Sequence, residues 1–322
     1  MPRRVRSVEP ARAPGGAVSG RPIAMDSIIA FVGTGVMGLS MARHLLAAGY
    51  RVRATTRTPA RAEPLRELGA EIVATPREAA DGAHVVCSMV GYPSDVEEVH
   101  LGPNGSLAAP RRPGLLIDFT TSRPSLAVHL HAEAAARGVA ALDAPVSGGD
   151  VGARNATLSI MVGGDRPAFD RAMPLFERLG KTVILQGGPG AGQHTKMVNQ
   201  ILIAGTMVGV VEGLLYATRS GLDPERVLAS VGGGAAGSWT VANLAPRVLK
   251  GDFKPGFFVE HFIKDLSIAL EEAQRMNLDL PGLALAKRLY DLVAADGHGR
   301  RGTHALYLAL ARRAGIPVAI AE

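Results

Sequence analysis

The chain has 322 residues, of which 47% are hydrophobic and 20% charged, a composition typical of a globular protein large enough for two domains. That balance excludes disordered, collagen-like and low-complexity chains. The single cysteine, Cys87, has no partner for an internal disulfide, which excludes a disulfide-stapled secreted fold. The longest strongly apolar stretch, residues 201–211, is shorter than the roughly 20 residues that cross a bilayer, so we expect a cytoplasmic protein without a membrane partner.

The net charge of +6 is concentrated at the N-terminus. Residues 1–24 carry five arginines and one acidic residue, and the rest of the chain carries a net charge of only +2. A nearly neutral body predicts no nucleic-acid partner, so a DNA-linked function would depend on this leader alone. Arginine-rich leaders include transit peptides, but Pro10, Pro14 and a Gly15–Gly16 pair oppose an amphipathic helix. We expect a disordered leader, or a true start at Met25.

From residue 27 onward, short apolar strands alternate with helical segments. Strands are predicted at 28–32, 51–56, 71–73, 84–89, 114–119, 140–144, 158–162 and 182–185, and helices between them at 37–48, 59–68, 76–80, 126–137 and 168–179. Beyond residue 188 only helices are predicted, at 193–219, 224–231, 241–249, 258–275, 281–295 and 304–314. This order predicts a doubly wound α/β domain over residues 25–188 and an all-helical domain over 189–322.

The first strand and helix are joined by a glycine-rich turn. Gly33-Thr34-Gly35-Val36-Met37-Gly38 has the form G-x-G-x-x-G. In such a turn the first glycine permits a tight bend, the second lets a pyrophosphate approach the backbone, and the third lets the helix pack on the strand. The N-terminus of the helix then offers unpaired N–H groups to the phosphates. The alternative is a purely structural turn.

The end of the second strand indicates which dinucleotide is bound. An NAD site usually has an acidic residue about 20 residues after the turn, to hold the ribose 2′-hydroxyl. Here the chain reads Thr56-Arg57-Thr58, and Arg57 with its neighbours could hold a 2′-phosphate instead. We therefore expect NADP(H) to be preferred, with NAD(H) as a second cofactor. If Arg57 only stacks on the adenine, both cofactors are acceptable.

Several separate motifs resemble those of the β-hydroxyacid dehydrogenase family, which includes 3-hydroxyisobutyrate dehydrogenase, tartronate semialdehyde reductase and the glyoxylate and succinic semialdehyde reductases. The resemblance covers nearly the whole chain from residue 27. The motifs are the turn at 33–38, residues 118–124 (DFTTSRP), residues 143–149 (DAPVSGG), Gly192-x-x-x-Lys196-x-x-Asn199, and Lys264-Asp265-Leu266. The resemblance implies a Rossmann-type cofactor domain followed by a helical domain, with the active site between them.

The resemblance also assigns cofactor contacts outside the turn. It implies that Met89 and Val90 line the cofactor, that Thr121 contacts it near the nicotinamide, and that Lys264 helps to hold it. Thr121 comes just after a predicted strand, at the sheet edge where open α/β folds bind ligands. Otherwise Met89 and Val90 are core residues, and Thr121 caps the next helix.

Ser147-Gly148-Gly149 follows another predicted strand. Two glycines expose successive N–H groups that can form an anion-binding concavity, and the serine hydroxyl adds a donor. A substrate carboxylate suits such a site. The alternative is a structural turn.

Lys196 is the residue that we expect to carry the chemistry. Gly192, Lys196 and Asn199 share one helix face, where Gly192 would leave open space and Asn199 could bind and orient the substrate. Acid–base work near neutrality requires a lysine pKa lowered by burial or by a positive neighbour. The apolar helix would bury Lys196, and Lys264 could be that neighbour. The family resemblance makes Lys196 the general acid/base. The alternative is a solvated lysine.

Three further features concern the pocket and its metal content. Ser238-Trp239 resembles a substrate-side loop, in which Trp239 either covers the pocket or fills the core. Where the family usually has G-x-x-D-x-S-A, this chain has Gly302-Thr303-His304-Ala305. The resemblance therefore does not identify one substrate. His129 and His131 do not share a helix face, so no metal is expected.

Together these observations predict hydride transfer between a nicotinamide cofactor and a short carboxylated 3-hydroxy acid or its semialdehyde. An imine reductase is the nearest alternative, although such enzymes lack the family lysine. A catalytically idle NADP-binding protein is another. The apolar helix, over residues 197–217, further predicts a homodimer or homotetramer.

Overall fold

The structure, a computed structural model, describes residues 22–321, so most of the predicted leader lies outside the described residues. Within them a sheet of nine strands is followed by a helical region. The strands are β1 (Ile28–Val32), β2 (Arg51–Thr55), β3 (Glu71–Ile72), β4 (Val85–Ser88), β5 (Leu115–Asp118), β6 (Ala140–Asp143), β7 (Val146–Ser147), β8 (Leu158–Gly164) and β9 (Gly180–Gly187).

The strand order is β3-β2-β1-β4-β5-β6-β8-β7, with β9 beside β8. Strands β1 to β6 run parallel, whereas β8 runs antiparallel to both β6 and β7. The order reverses at β1, which is the arrangement of a doubly wound Rossmann-type sheet. The predicted fold class is therefore confirmed.

Helices on both faces bury the central strands of this sheet, whereas β9 is largely exposed. The helices are α1 (Val36–Ala47), α2 (Glu63–Arg66), α3 (Pro76–Ala80), α4 (Pro93–Leu101), α5 (Pro124–Ala135), α6 (Gly149–Arg154) and α7 (Arg166–Phe176). Successive residues of β1 enter opposite cores: Ile29 and Phe31 pack with one cluster, and Ala30 with the other. This two-sided burial explains why the strand reads as a continuous apolar run.

The second part of the chain is helical. It contains α8 (Ala191–Arg219), α9 (Pro224–Val231), α10 (Trp239–Asn243), α11 (Ala245–Leu249), α12 (Val259–Arg275), α13 (Pro281–Val293) and α14 (Leu306–Arg313). Helix α8 contacts α12, α13 and α14, and its first turns also contact β8. It therefore joins the helical core to the sheet.

Helix α8 is also the one helix among residues 22–321 that is long and apolar enough to cross a membrane by length and composition. Its most apolar window has a mean hydropathy of 1.7, and 28% of that window is buried. The expectation that every apolar stretch is too short is therefore wrong. That expectation considered residues 201–211 alone, whereas the whole of α8 is apolar on average despite isolated polar residues.

Several local elements differ from those predicted. Helix α4, strand β7 and helix α6 were not expected, because each is short and begins beside proline or glycine. The predicted helix at 59–68 is divided before Pro64, and the one at 241–249 is divided before Pro246. Proline has no N–H to donate and fits only the first turn of a helix, and each of these prolines is the second residue of a new helix.

Candidate functional site

The glycine turn lies where β1 passes into α1. Gly33 has φ +94°, and a side chain there would overlap the carbonyl oxygen of Met89. A side chain at Gly38 would overlap the carbonyl of Gly33, so the helix approaches the turn more closely than alanine permits. At Gly35, by contrast, a Cβ would meet nothing within 4 Å. Gly33 and Gly38 are therefore required by the fold, whereas Gly35 leaves open space.

That space lies against the N-terminus of α1. Gly35 is the N-cap residue, and no side chain caps the helix. The first N–H groups therefore remain available to an anion, with the positive end of the helix dipole behind them. The hydroxyl of Thr34 is buried without a hydrogen-bond partner in the described chain. Val36 is exposed and Met37 half-buried. These residues fit the pyrophosphate of a dinucleotide.

Thr56, Arg57 and Thr58 follow β2, next to this turn. Arg57 is largely exposed, and its guanidinium donates to the carboxylate of Asp95, with Nη1 3.0 Å from Oδ1. Asp95 also accepts the N–H groups of Gly91 and Tyr92 at the start of α4. Sequence reasoning missed Asp95, because Arg57 and Asp95 are 38 residues apart and nothing local links them.

The loops after β4 and β5 form the next part of the edge. Met89 and Val90 are half-buried, and the N–H of Val90 donates to Thr120 Oγ1 at 3.0 Å. Lys264 on α12 reaches both loops, because its ammonium donates to the carbonyls of Gly91 (3.1 Å) and Thr121 (2.7 Å). Lys264 therefore ties the helical region to the sheet edge.

Thr121 itself does not cap a helix. The N-cap residue of α5 is Arg123, and no side chain bonds to that helix end. The Thr121 side chain is half-buried within the β5 loop, next to the carbonyl that Lys264 contacts. The capping alternative is therefore wrong.

Lys196 lies in the second turn of α8, with a side chain turned toward the sheet. Its ammonium donates to the carbonyl oxygen of Val146 at 2.9 Å, and the residue is only 7% exposed. Burial lowers the pKa of Lys196 to about 8, with a raising effect from the Asp265 charge and a lowering effect from the Lys264 charge. The expected burial and the expected positive neighbour are both present, and the solvated alternative is wrong.

The start of α8 is held by the carboxylate of Asp143, at the end of β6. Its two oxygens accept the N–H groups of Gly190 and Gln193, each at 2.8 Å. Burial raises the pKa of Asp143, an effect that these backbone donors oppose. In the motif at residues 143–149 only the Ser147-Gly148-Gly149 turn was given a role, so the role of Asp143 as an anchor of α8 was missed.

Gly192 corrects an expectation. A Cβ at this position would overlap the carbonyl oxygen of Met161 and lie 2.7 Å from that of Asp143. The position is therefore a close approach of α8 to β6 and β8, not open space before the ammonium. Glycine is needed there because the helix touches strand backbone.

A polar chain runs from α8 to α12 beside Lys196. Asn199 donates to Gln200 Oε1 at 2.7 Å, and Gln200 donates to Asp265 Oδ2 at 2.6 Å. The ammonium of Lys264 lies 3.1 Å from Asp265 Oδ1. Asn199 is half-buried and keeps its carbonyl oxygen, so it can still bind a ligand.

Ser147, Gly148 and Gly149 follow the Val146 carbonyl that Lys196 contacts. Gly148 and Gly149 have φ +129° and +61°, in a backbone region that favours glycine, and Gly148 is the N-cap residue of α6. Gly148 is exposed, and Ser147 and Gly149 are half-buried. The turn is accessible and adjoins the Lys196 ammonium through Val146.

Trp239 and His304 lie on the helical side of the site. Trp239 is 66% exposed at the start of α10, so it does not fill the core. His304, where the family usually has a serine, is buried: its ring stacks on Phe253 at 5.5 Å, and its Nε2 is 2.8 Å from the carbonyl oxygen of Asp252. His304 therefore places a packed ring where the family usually has a hydroxyl.

A buried polar network underlies the β4 and β5 loops. Ser88 Oγ donates to Asp118 Oδ1 at 2.7 Å, and the His100 ring bonds Ser88 at 2.9 Å and Ser106 at 2.7 Å. Because the Ser88 proton goes to Asp118, the His100 Nε2 must donate to Ser88. Burial lowers the pKa of His100 to about 4 and raises that of Asp118 to about 6. A neutral histidine thus bridges the network.

No cluster of three or more histidine, cysteine, aspartate or glutamate residues in the range 22–321 could hold a metal ion. His131 instead lies 3.2 Å from Asp165 at the surface. Cys87 is buried in β4.

Comparison with known proteins supplies the family. A family model described as the NAD binding domain of 6-phosphogluconate dehydrogenase matches residues 28–188. A second, described as the NAD-binding of NADP-dependent 3-hydroxyisobutyrate dehydrogenase, matches residues 190–316. Each model matches one of the two structural regions.

Two curated relatives extend over most of the chain. The probable 3-hydroxyisobutyrate dehydrogenase-like 1, mitochondrial, of Arabidopsis thaliana is 50% identical over 285 residues, which are 88% of this chain and 85% of the relative. The 2-hydroxy-3-oxopropionate reductase of Escherichia coli (strain K12) is 40% identical over 282 residues, 88% of this chain and 96% of the relative.

Solved structures support the same family. The Mycobacterium tuberculosis 3-hydroxyisobutyrate dehydrogenase, described with L-serine, has a TM-score of 0.81 and 32% identity, and the match covers 88% of this chain and 99% of that one. An imine reductase from Pseudomonas sp. has a TM-score of 0.60 and 18% identity over 88% and 99% of the two chains, and so shares the fold alone. The chain therefore belongs to the β-hydroxyacid dehydrogenase family, whose members are NAD-binding oxidoreductases.

Proposed function

We propose that the protein transfers a hydride between NADP(H) and a short 3-hydroxy acid or its semialdehyde, with Lys196 as general acid/base. The observation that carries this proposal is the lysine itself. Its ammonium is buried beside the Ser147 loop, and its pKa is lowered to about 8. A group with that pKa is divided between both protonation states near neutrality, which suits proton transfer in either direction.

The nicotinamide ring, when bound, supplies or accepts the hydride. The N–H groups at the start of α1 would hold the pyrophosphate, with Gly35 leaving room for it. Met89, Val90 and Thr121 would line the site. Lys264, which already joins the loops that carry them, would hold the cofactor end of the cleft in place.

The substrate would lie between this edge and α8. Gly148 and Gly149, with the Ser147 hydroxyl, would hold its carboxylate through backbone and side-chain donors. Asn199 would orient the hydroxyl or carbonyl group, and the exposed Trp239 would cover the pocket. Carboxylated compounds named with the relatives, 2-hydroxy-3-oxopropionate and L-serine, support this substrate class.

Lys196 would move the proton at the reacting oxygen. In oxidation its neutral amine accepts the hydroxyl proton as the hydride leaves the carbinol carbon. In reduction its ammonium donates a proton to the carbonyl oxygen as the hydride arrives. The hydrogen bond to Val146 leaves two further N–H positions on the ammonium for this work.

Two finer assignments belong to the same proposal. The cationic Arg57 after β2, with no acidic residue there, favours NADP(H), with NAD(H) also accepted. The exposed apolar side chains of α8, among them Val198, Leu202 and Tyr216, favour a homodimer or homotetramer. Light scattering on the purified protein measures that state, and a monomer would contradict the assignment.

The test is a panel of initial rates of NADPH oxidation. Wild type, Lys196→Ala and the exposed control Lys181→Ala would be measured with succinic semialdehyde, glyoxylate, tartronate semialdehyde, methylmalonate semialdehyde and a cyclic imine. We expect a carboxylated aldehyde to be reduced, with a loss of at least ~100-fold in Lys196→Ala and none in Lys181→Ala. Turnover of the imine alone, insensitive to Lys196, would indicate an imine reductase. Binding of NADPH without any turnover would indicate a catalytically idle protein.

A further inference from the structure

The Arg57–Asp95 ion pair crosses the mouth of the glycine turn. The last residue of β1, Val32, is paired with Thr55 of β2 on one side and with Ser88 of β4 on the other. Arg57 follows β2 and Asp95 follows β4, so their contact spans the end of β1, where the turn begins. The pair therefore lies across the groove that the proposed cofactor would enter.

The two partners are held very differently. The Asp95 side chain is 12% exposed and accepts backbone N–H groups of Gly91 (3.3 Å) and Tyr92 (3.1 Å), so its position is fixed by the start of α4. The Arg57 side chain is 79% exposed, and its bonds to Asp95 are 3.0 and 3.5 Å long. Arg57 is therefore the partner that can turn toward another anion.

We propose that Asp95 sets the strength of the preference for NADP(H) by competing with the 2′-phosphate for the Arg57 guanidinium. This inference rests on the proposed function, because it concerns the same cofactor site. Although no acidic residue follows β2, the Asp95 carboxylate reaches Arg57 from the start of α4 and neutralises part of its charge. A 2′-phosphate must displace or share that contact, whereas a ribose 2′-hydroxyl need not.

The test variant is Asp95→Asn. Asparagine keeps a side-chain oxygen for the N–H groups of Gly91 and Tyr92, so the start of α4 is preserved, but the charge that holds Arg57 is removed. An ion pair whose arginine is exposed predicts a tightening of NADPH binding by about 2- to 5-fold, with NADH changed by less than about 2-fold. Dissociation constants come from titration followed by NAD(P)H fluorescence, with no turnover required.

Two comparisons isolate the mechanism. In an Arg57→Gln background, Asp95→Asn should no longer alter the ratio of the NADPH and NADH dissociation constants. The guanidinium for which Asp95 and the 2′-phosphate compete is then absent. The matched control is Asp81→Asn, which removes another aspartate–arginine pair, with Arg111, without changing the turn or β4 loop. It should leave the ratio unchanged.

Each outcome is decisive. An unchanged ratio in Asp95→Asn, weaker NADPH binding, or an equal tightening in the Arg57→Gln background would overturn the role of Asp95 while leaving the proposed oxidoreductase intact. Failure of the wild type to bind either dinucleotide would overturn the proposed function and this inference together. Thermal melting of all variants checks that α4 remains folded.

Discussion

Gly192→Ala tests whether the packing of α8 on the sheet positions Lys196. The new Cβ would overlap the carbonyl oxygen of Met161 and meet the carbonyl and carboxylate oxygens of Asp143, at 2.7 and 2.8 Å. Two of these oxygens belong to strand backbone and cannot rotate away. The start of α8 must therefore shift outward, and Lys196, one turn later, must shift with it.

This crowding sets the expected losses of stability and of kcat in Gly192→Ala. Overpacking at a rigid site costs about 1–3 kcal/mol of unfolding free energy, only partly offset by the roughly 0.5–1 kcal/mol that alanine contributes over glycine in a helix. A displacement approaching an ångström at Lys196 should lower kcat by about 10- to 100-fold. Urea denaturation and initial rates measure the two effects separately.

The control is Gly282→Ala in α13, where a Cβ would meet nothing within 4 Å. That change should be neutral or slightly stabilising, with unchanged kcat. If Gly192→Ala behaved like Gly282→Ala in both assays, the close approach would not position the lysine, and the reasoning would be refuted.

Three other predictions follow from the geometry. Gly33→Ala should destabilise the fold, because of the Met89 carbonyl, whereas Gly35→Ala should spare stability yet weaken dinucleotide binding; equal stability of the two variants would contradict this. Lys264→Met should raise the apparent pKa of Lys196 above about 8 in a pH–rate profile, since its charge lowers that pKa; no shift, or a fall, would count against the contact. Burial holds the pKa of His100 at about 4, so its neutral form stabilises the fold above pH ~6.5, and that stability is lost as pH falls toward 4. Relative to His100→Gln, wild type should lose on the order of 2–3 kcal/mol between pH 7 and 4.5 in urea denaturation; parallel curves would refute this. Asp118, whose pKa is raised to about 6, acts in the opposite sense and is common to both proteins.

The parts of the site that the sequence predicted are those set by local pattern. The glycine turn, the strand ends and the apolar character of α8 each depend on residues close in the chain. Even the burial of Lys196 followed from the composition of its own helix. The family resemblance placed Lys264 at the cofactor, but its bonds to the β4 and β5 loops were not predicted, since no local rule connects residues 143 positions apart.

The parts that were missed depend on tertiary contact. Gly192 looked open because a helical face says nothing about the strand packed against it, and β8 returns antiparallel to place the Met161 carbonyl there. Asp95 meets Arg57 only because β2 and β4 flank β1. For Trp239 the sequence left the pocket and the core as alternatives, and the structure places it 66% exposed at the start of α10.

The central claim, that Lys196 is the general acid/base, is tested most directly by the pH dependence of kcat/KM in both directions. For the wild type, oxidation of the hydroxy acid should rise through an apparent pKa of about 8, because the neutral amine is the base, and reduction of the semialdehyde should fall through the same value. Lys196→Ala should lose at least ~100-fold in each direction together with both pH transitions. A Lys196→Ala enzyme that kept wild-type rates, or the same pH transitions, would contradict the account.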